Sequence, residues 1–192
     1  MRLRTVLVVS ILTFMSACAK PGQEYFPILP VGSQMKYAVE LGRLKGEMVI
    51  RTESKQIING KQYYKEVAVY SGIPGLEPEV VYERLGSDGI YALSGSHMDK
   101  PEYLDTPLPL RVGAAWRADN PEGPEDYKAE SIETLELFDR AYERCMKISF
   151  SLSRGSVTLT GVSYYAPHVG LAKTSWNAGV ATFEMQLESE KH

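Results

Sequence analysis

Alternation of apolar and polar residues is the sequence feature that most restricts the fold of this 192-residue chain. Met35, Tyr37 and Val39 alternate with polar or small neighbours, and a similar two-residue period recurs in residues 142–153 and 181–188. Successive side chains of a β-strand point to opposite faces, so this period is typical of strands with one buried face. The 3.6-residue period of an amphipathic helix is hard to find over ten residues. The pattern therefore predicts an all-β protein with few or no helices.

Turn chemistry between the alternating segments supports the same fold class. Asn59-Gly60 separates two runs of β-forming residues, and Asn-Gly in that position is a strong signal for a two-residue hairpin. Further turn residues occur at 87–89, 154–156, 167–170 and 177–179. The spacing predicts about ten short strands in a meander, which forms an antiparallel, strongly curved sheet or an open β-barrel.

Two similar segments raise the question of an internal repeat. Val31-Gly32 and Val112-Gly113 each follow a proline-rich apolar stretch, and Met35 and Trp116 each lie three residues after the glycine. Proline cannot donate to a strand ladder and glycine permits a tight turn, so both segments read as the start of a strand. Two similar sheet halves are one interpretation. Two ordinary strand starts are the other, and the sequence favours it.

The N-terminal 17 residues have the features of a secretory signal peptide. Arg2 and Arg4 precede an apolar run at residues 6–14, which is shorter than the roughly 20 residues that a spanning helix needs. The run ends in Met15-Ser16-Ala17-Cys18, which resembles the lipobox of bacterial lipoproteins. This resemblance implies removal of residues 1–17, a lipid thioether on Cys18 and an added acyl chain such as palmitate.

The lipobox resemblance also implies a location. Ala19 follows the cysteine where a retention signal would have aspartate, which resembles sorting to the outer membrane. We therefore expect a cell-envelope protein, anchored by Cys18 in the outer membrane and facing the periplasm. Residues 18–24 would be a short lipidated tether, and residues 25–192 a single β-rich domain.

A set of short motifs is spread over the chain after residue 24: Tyr25-Phe26-Pro27-Ile28 with Gly32 and Tyr37, Asn59-Gly60-Lys61-Gln62-Tyr63-Tyr64, Pro109-Leu110 with Gly113 and Trp116, Cys145-Met146-Lys147-Ile148, and Tyr164-Tyr165-Ala166-Pro167 with Val169-Gly170-Leu171. With these motifs, this part of the chain resembles a widespread family of bacterial lipoprotein domains that have no assigned activity. This resemblance supports the β-rich fold, is compatible with the open, curved barrels of periplasmic lipoprotein carriers, and assigns no catalytic residue. Met35 stands where that family tends to have tryptophan.

Charge and cysteine content exclude some functions. The net charge is −3, and the predicted signal peptide contains two arginines and no acid, so the remaining chain is more acidic still. Nucleic-acid binding needs clustered basic residues, so we expect no nucleic-acid partner. With Cys18 lipidated, Cys145 has no disulfide partner in the chain. We expect Cys145 to be a small buried side chain; a reactive thiol or an intermolecular bridge is the alternative.

No motif for metal binding or catalysis is present. The chain contains neither HExxH nor a CxxC pair. Ser96 and His97 are adjacent, and neighbours on a strand face opposite sides, so they do not indicate a catalytic triad. Two groups of side chains could supply metal ligands, but both are interpreted as charged residues of solvated loops. We therefore predict no metal, no cofactor and no catalytic residue. The possible ligands are His97, Asp99, Glu102 and Asp105 in one loop, and Glu122, Glu125 and Asp126 in another.

The leading functional prediction is a non-enzymatic binding or assembly role in the envelope, with a hydrophobic small ligand or an envelope protein as partner. The alternative is a hydrolase acting on envelope glycan or lipid. Carboxyl groups with raised pKa in a cleft would favour the hydrolase, and a dry apolar cavity would favour lipid carriage. The candidate ligand-lining residues, which can equally be plain core, are Met146, Ile148, Phe150, Trp176, Phe183 and Met185.

Overall fold

The structure is a computed structural model that describes residues 19–154, 157–179 and 181–191. The predicted signal peptide, residues 1–17, and Cys18 lie outside the described residues. Apart from two single turns of 3-10 helix, at Gln23–Tyr25 and Gly95–His97, the described residues form strands and their connections. None of these described residues forms a helix with the length and hydropathy needed to cross a membrane.

Twelve strands form one antiparallel sheet, which confirms the predicted fold class and corrects the predicted number of about ten. The difference arises at β6, which lies inside a proline-rich segment that reads as a loop, and at β7, which has only four residues. The strands are β1 (Gln34–Leu41), β2 (Leu44–Ile58), β3 (Lys61–Ser71), β4 (Glu79–Leu85), β5 (Gly89–Ser94), β6 (Tyr103–Pro107), β7 (Ala115–Ala118), β8 (Glu125–Leu137), β9 (Arg140–Arg154), β10 (Val157–Ala166), β11 (Gly170–Asn177) and β12 (Thr182–Lys191).

The strand order shows two six-stranded meanders joined edge to edge. The order is β6-β5-β4-β3-β2-β1-β12-β11-β10-β9-β8-β7, so the first strand of the chain pairs with the last. The two free edges, β6 and β7, lie side by side. Across this seam the Trp116 indole Nε1 donates a 2.8 Å hydrogen bond to the carbonyl of Asp105. The sheet is therefore a nearly closed barrel with one seam that lacks a strand ladder.

The two meanders begin with the same turn. Gly32 N donates to Thr52 O at 2.8 Å, and Gly113 N donates to Ala129 O at 2.7 Å. The two accepting residues, Thr52 in β2 and Ala129 in β8, are each followed directly by a β-bulge. The structure therefore favours two similar sheet halves over two ordinary strand starts. The halves meet at two equivalent places, the β1–β12 pair and the β6–β7 seam, and each place joins the first strand of one half to the last strand of the other.

The buried side chains form two clusters inside the barrel. One centres on β1 and β12 and includes Tyr37 and Leu187, while the other includes Met146, Ile148 and Leu110. The segment before β1 reaches both clusters, since Tyr25 belongs to the second and Leu29 packs against the first. These residues thus cover one end of the barrel.

Part of the predicted tether lies against the domain. Leu110 N donates to Pro21 O at 2.9 Å, and His168 N donates to Glu24 O. A Cβ atom built on Gly22 would lie 2.6 Å from the Leu110 carbonyl oxygen, so only glycine fits this approach. The N-terminal segment is therefore docked on the barrel from about residue 21 onward.

One predicted alternation is wrong in β9. Arg144 was expected on the same face as Tyr142 and Met146, but it is exposed and has a left-handed φ of 56°. The pairing with β8 contains an extra residue at this point, so Cys145 and Met146 are both buried. The bulge assigns Cys145 to the first cluster and Met146 to the second.

Candidate functional site

A cavity of about 360 Å³, open on one side and here called the inner cavity, lies on the concave face of the sheet. Strands β3 and β4 form one wall, strands β11 and β12 form the other, and Met48 and Ile50 of β2 lie between them. The volume is within the range of small-molecule sites in proteins. The two walls differ in chemistry.

The β11–β12 wall of the inner cavity is aromatic and apolar. Trp176 and Phe183 are partners across the two strands, and their rings stack with centroids 5.0 Å apart and an interplanar angle of 8°. Met185 follows two residues after Phe183 on the same face and is almost fully buried. Leu171 extends this apolar wall toward the covered end of the barrel.

The β3–β4 wall of the inner cavity carries three carboxyl groups. Glu66 is opposite Val81 in the register, and Glu79 and Glu83 lie two residues to either side of Val81. Residues two apart on a strand share a face, so the three side chains form a row along the wall. Glu79 is the exposed member at one end, and Glu66 and Glu83 are partly buried.

A second cavity of about 220 Å³ lies beneath the N-terminal segment, and we call it the plug-side cavity. Glu66 and Glu83 border both cavities, and Asp105 of β6 borders the plug-side cavity alone. On the other side, an open cleft of about 740 Å³ shares Glu79 and Val81 with the inner cavity. The two cavities and the cleft thus share carboxyl residues in their linings.

Burial raises the pKa of all four interior carboxyl groups, which we define as Glu66, Glu79, Glu83 and Asp105. Desolvation is the main cause in each case, because the charged form is disfavoured away from water. The pKa of Glu83 is raised well above its usual value, with Glu66 and Asp105 adding repulsion. The pKa of Asp105 is raised to about 6, and the Thr106 hydroxyl, which donates a 3.0 Å hydrogen bond, opposes the shift.

The interior carboxyl groups have hydroxyl neighbours rather than cationic ones. Thr52 Oγ1 donates to Glu66 at 3.3 Å, and Tyr70 OH lies 3.5 Å from Glu79. Within residues 19–154, 157–179 and 181–191, no lysine, arginine or histidine forms an ion pair with any of the four. The four carboxyl groups therefore lie close together without a basic side chain from these parts of the chain to neutralise them.

The residues considered for metal binding are separated in the structure. Glu102 is held on the outer surface, where Arg84 donates two hydrogen bonds of 2.6 Å and Lys61 and Tyr63 also contact it. His97 contacts the Ser96 hydroxyl at 2.9 Å on the surface, while Asp105 faces the interior. Across the described part of the chain, no three histidine, cysteine or acidic side chains converge as metal ligands do.

The six candidate ligand-lining residues divide into two groups of three. Trp176, Phe183 and Met185 border the inner cavity. Met146 and Ile148 pack in the second core cluster, and Phe150 lies next to Tyr127 with ring centroids 6.3 Å apart. The first group adjoins open space where a ligand can contact it, whereas the second group packs against neighbouring side chains.

Sequence reasoning named Asp105 only as a possible metal ligand and did not find the other three interior carboxyl groups; for Glu66 the reason is a bulge in the neighbouring strand. The Asn59-Gly60 hairpin pairs Ser54 with Lys65, and an uninterrupted register would place Glu66 opposite Glu53. The bulge at Glu53 instead brings Glu66 opposite Thr52, which is 1% exposed. A weaker signal for the other two glutamates was present in β4. Glu79 and Glu83 each lie two residues from the apolar Val81 and therefore share its face.

Comparison with protein-family models finds no match, and comparison with curated proteins finds none either. Two solved structures resemble this chain. A protein assigned as exported, with a YmcC-like fold, from Bacteroides fragilis has a TM-score of 0.55 and 13% identity over 85% of this chain and 97% of its own. A protein assigned as a lipoprotein from Parabacteroides distasonis has a TM-score of 0.46 and 14% identity over 87% of this chain and 98% of its own. The first likeness shows a shared fold.

Proposed function

We propose that the protein is a lipid-anchored component of the cell envelope that binds a small ligand inside its barrel without chemically changing it. The observation that carries this proposal is the inner cavity, which has an aromatic wall and a facing row of carboxyl groups. Ligand sites typically combine a mostly apolar lining with a few converging polar groups. A purely lipid-carrying cavity would lack the carboxyl groups, so we expect an amphiphilic ligand.

The anchor in this proposal is the lipid on Cys18, inserted in the outer membrane on its periplasmic side. Support comes from the lipobox pattern and from an exported protein among the structures with this fold. Because the chain is docked from about residue 21, only a few residues would separate the barrel from the bilayer. The end of the barrel that the N-terminal segment covers would then face the membrane.

A hydrolase acting on envelope glycan or lipid is the second candidate, and the interior carboxyl groups with raised pKa favour it. Two observations favour binding instead. The inner cavity and the plug-side cavity, of about 360 and 220 Å³, are small for a glycan chain, and the larger cleft borders only Glu79 among the four interior carboxyl groups. In addition, the N-terminal segment covers the plug-side cavity where Asp105 lies. A turnover assay on envelope glycans and lipids with Glu83→Gln would reveal a hydrolase as activity that this variant loses.

Native mass spectrometry tests the binding proposal. The full-length chain, extracted from cells in a non-ionic detergent, should carry a reproducible extra mass of small-molecule size. Ala68→Phe should abolish this mass by filling the inner cavity, because Ala68 borders it. Val69→Phe is the matched control on the same strand, since Val69 is 40% exposed on the outer face. A bare polypeptide mass in the wild type would count against ligand carriage and direct attention to an envelope protein as the partner.

A further inference from the structure

The arrangement of the interior carboxyl groups restricts the chemistry of the ligand. Glu79 and Glu83 are four residues apart on β4, which corresponds to roughly 13 Å along a strand. Glu66 projects from the neighbouring strand between them, because it is opposite Val81. The acidic groups are therefore spread along a line, which suits an extended molecule with separated charges better than a single ion.

Glu83 is the member that most clearly lacks a partner. Its side chain is partly buried, and the surface that remains accessible borders both cavities. Among the described residues, no hydrogen-bond donor or cation contacts this carboxyl group, and its nearest charged neighbours are Glu66 and Asp105. A buried carboxyl group in this position is satisfied by a cationic donor that enters the cavity.

The opposite wall suits the carbon chain and the charge of such a molecule. The stacked Trp176 and Phe183 rings border the same inner cavity as the acidic row, with Met185 beside them. Aromatic faces attract organic cations, and apolar side chains remove a methylene chain from water. A metal ion gains nothing from this wall.

We propose that the inner cavity binds a linear aliphatic amine with two or more ammonium groups, a diamine or polyamine. This proposal rests on the proposed function and names the ligand class for the same cavity. The ammonium groups pair with the carboxyl row of Glu66, Glu79 and Glu83, and the methylene chain lies against the Trp176–Phe183 stack. The open cleft beside Glu79 gives the extended chain a route from solvent.

Isothermal titration calorimetry of the full-length protein at pH 7.5 tests the ligand class with four probes. Spermidine and cadaverine carry several ammonium groups, pentylamine carries one, and pentanediol carries none. We expect spermidine to bind at least about tenfold more tightly than pentylamine, because each added charge meets another carboxylate in a weakly screened site. Pentanediol should show no detectable binding.

Variants test whether the carboxyl row holds the amines. Glu83→Gln should weaken spermidine binding about tenfold or more, because one charged partner is lost. Glu47→Gln should change it less than about twofold, because Glu47 is an exposed outer-face residue paired with Lys36 at 2.7 Å. Thermal unfolding of both variants identifies any loss of fold. Equal binding by the two variants would overturn the assignment of the carboxyl row.

The combined results separate this inference from the proposed function. If none of the amines binds but the extracted protein carries another ligand mass that Ala68→Phe removes, the amine class is overturned and the binding function stands. If pentanediol binds as tightly as cadaverine, charge recognition is overturned. If the protein neither carries a ligand nor binds any probe, both proposals are overturned.

Discussion

Trp116 and Asp105 join the two edge strands of the barrel, with the indole Nε1 donating to the Asp105 carbonyl oxygen at 2.8 Å. The Trp116 ring also stacks on Tyr127 at 5.1 Å, so a phenylalanine at this position can keep the stack and lose the hydrogen bond. We predict that Trp116→Phe lowers the free energy of unfolding by about 1 kcal/mol. It should also increase hydrogen exchange in β6, because the seam has no strand ladder.

Urea unfolding and hydrogen exchange with mass spectrometry check the prediction for Trp116. Trp176→Phe is the matched control, because Trp176 also stacks on a neighbouring ring and its indole makes no recorded hydrogen bond within the described residues. Unchanged exchange in β6 of Trp116→Phe would mean that the seam is held by other contacts.

Asp105 should make the unliganded protein less stable as the pH rises. Its pKa is raised from 3.8 to about 6 in the folded state, so the unfolded chain releases its proton first. The contribution of Asp105 to the free energy of unfolding should therefore fall between about pH 4 and pH 6 and level off above that range. Asp105→Asn removes this penalty and should gain about 1–3 kcal/mol at pH 7.5 and almost nothing at pH 4.

Chemical unfolding at several pH values measures the effect of Asp105. Asp99→Asn, at a side chain that is 75% exposed, is the control and should leave the stability unchanged at each pH. If Asp105→Asn destabilises the protein equally at pH 4 and pH 7.5, the carboxyl group is not held in its protonated form.

Glu102 has the opposite pH dependence on the outer surface. Its pKa is lowered to about 2, mainly because the Arg84 guanidinium donates two hydrogen bonds to it. The stabilisation is present above about pH 4.5 and is lost as the pH falls through about 2. Glu102→Gln should cost about 1–2 kcal/mol at pH 7 and progressively less in acid.

The free energy of unfolding at pH 7 and pH 3 measures the effect of Glu102. Glu40→Gln is the control, because its partner Lys45 is 78% exposed and solvent screens the pair, so a change below about 0.5 kcal/mol is expected. Equal effects of the two substitutions would show that the Arg84 contact adds nothing beyond an ordinary surface pair.

Cys145 should be inert in the folded protein. It is fully buried, and burial raises the pKa of its thiol to about 11, so almost no thiolate is present near neutral pH. A thiol reagent such as Ellman's should label Cys145 at pH 8 only after denaturant is added. The measurement is made in Cys18→Ser so that one cysteine remains, and rapid labelling without denaturant would contradict the burial.

Cys18→Ser also tests the anchor. The variant should fold normally and move from the membrane fraction to the soluble fraction, because the serine hydroxyl cannot accept the thioether-linked lipid. Cell fractionation with circular dichroism of the released protein measures both effects. Retention of the processed variant in the membrane would disprove the anchor prediction.

The fold could be predicted to a large extent from sequence, because alternation and turns are local signals. The Asn59-Gly60 hairpin appears as expected, with φ values of 51° and 76° that suit its two-residue turn. The edge strand β6 could not be identified, because Pro101, Pro107 and Pro109 make that segment look like a loop.

The candidate site was only partly accessible to sequence reasoning. Trp176, Phe183 and Met185 alternate on predicted strands, so an inward position followed from the pattern. Glu66 could not be placed, because its position depends on the one-residue bulge at Glu53. The sequence likewise does not reveal which inward aromatic residues meet a facing side chain and which border a cavity.

The equivalent turns at Gly32 and Gly113 have a consequence for how such barrels can arise. Each half supplies one first strand and one last strand, and in this protein the two kinds of edge meet at β1–β12 and again at β6–β7. A shorter chain with only six strands would carry both complementary edges and could close by pairing two copies around a two-fold axis. In a single chain, by contrast, each half can carry its own side chains, as the acidic wall of the first half and the aromatic wall of the second do.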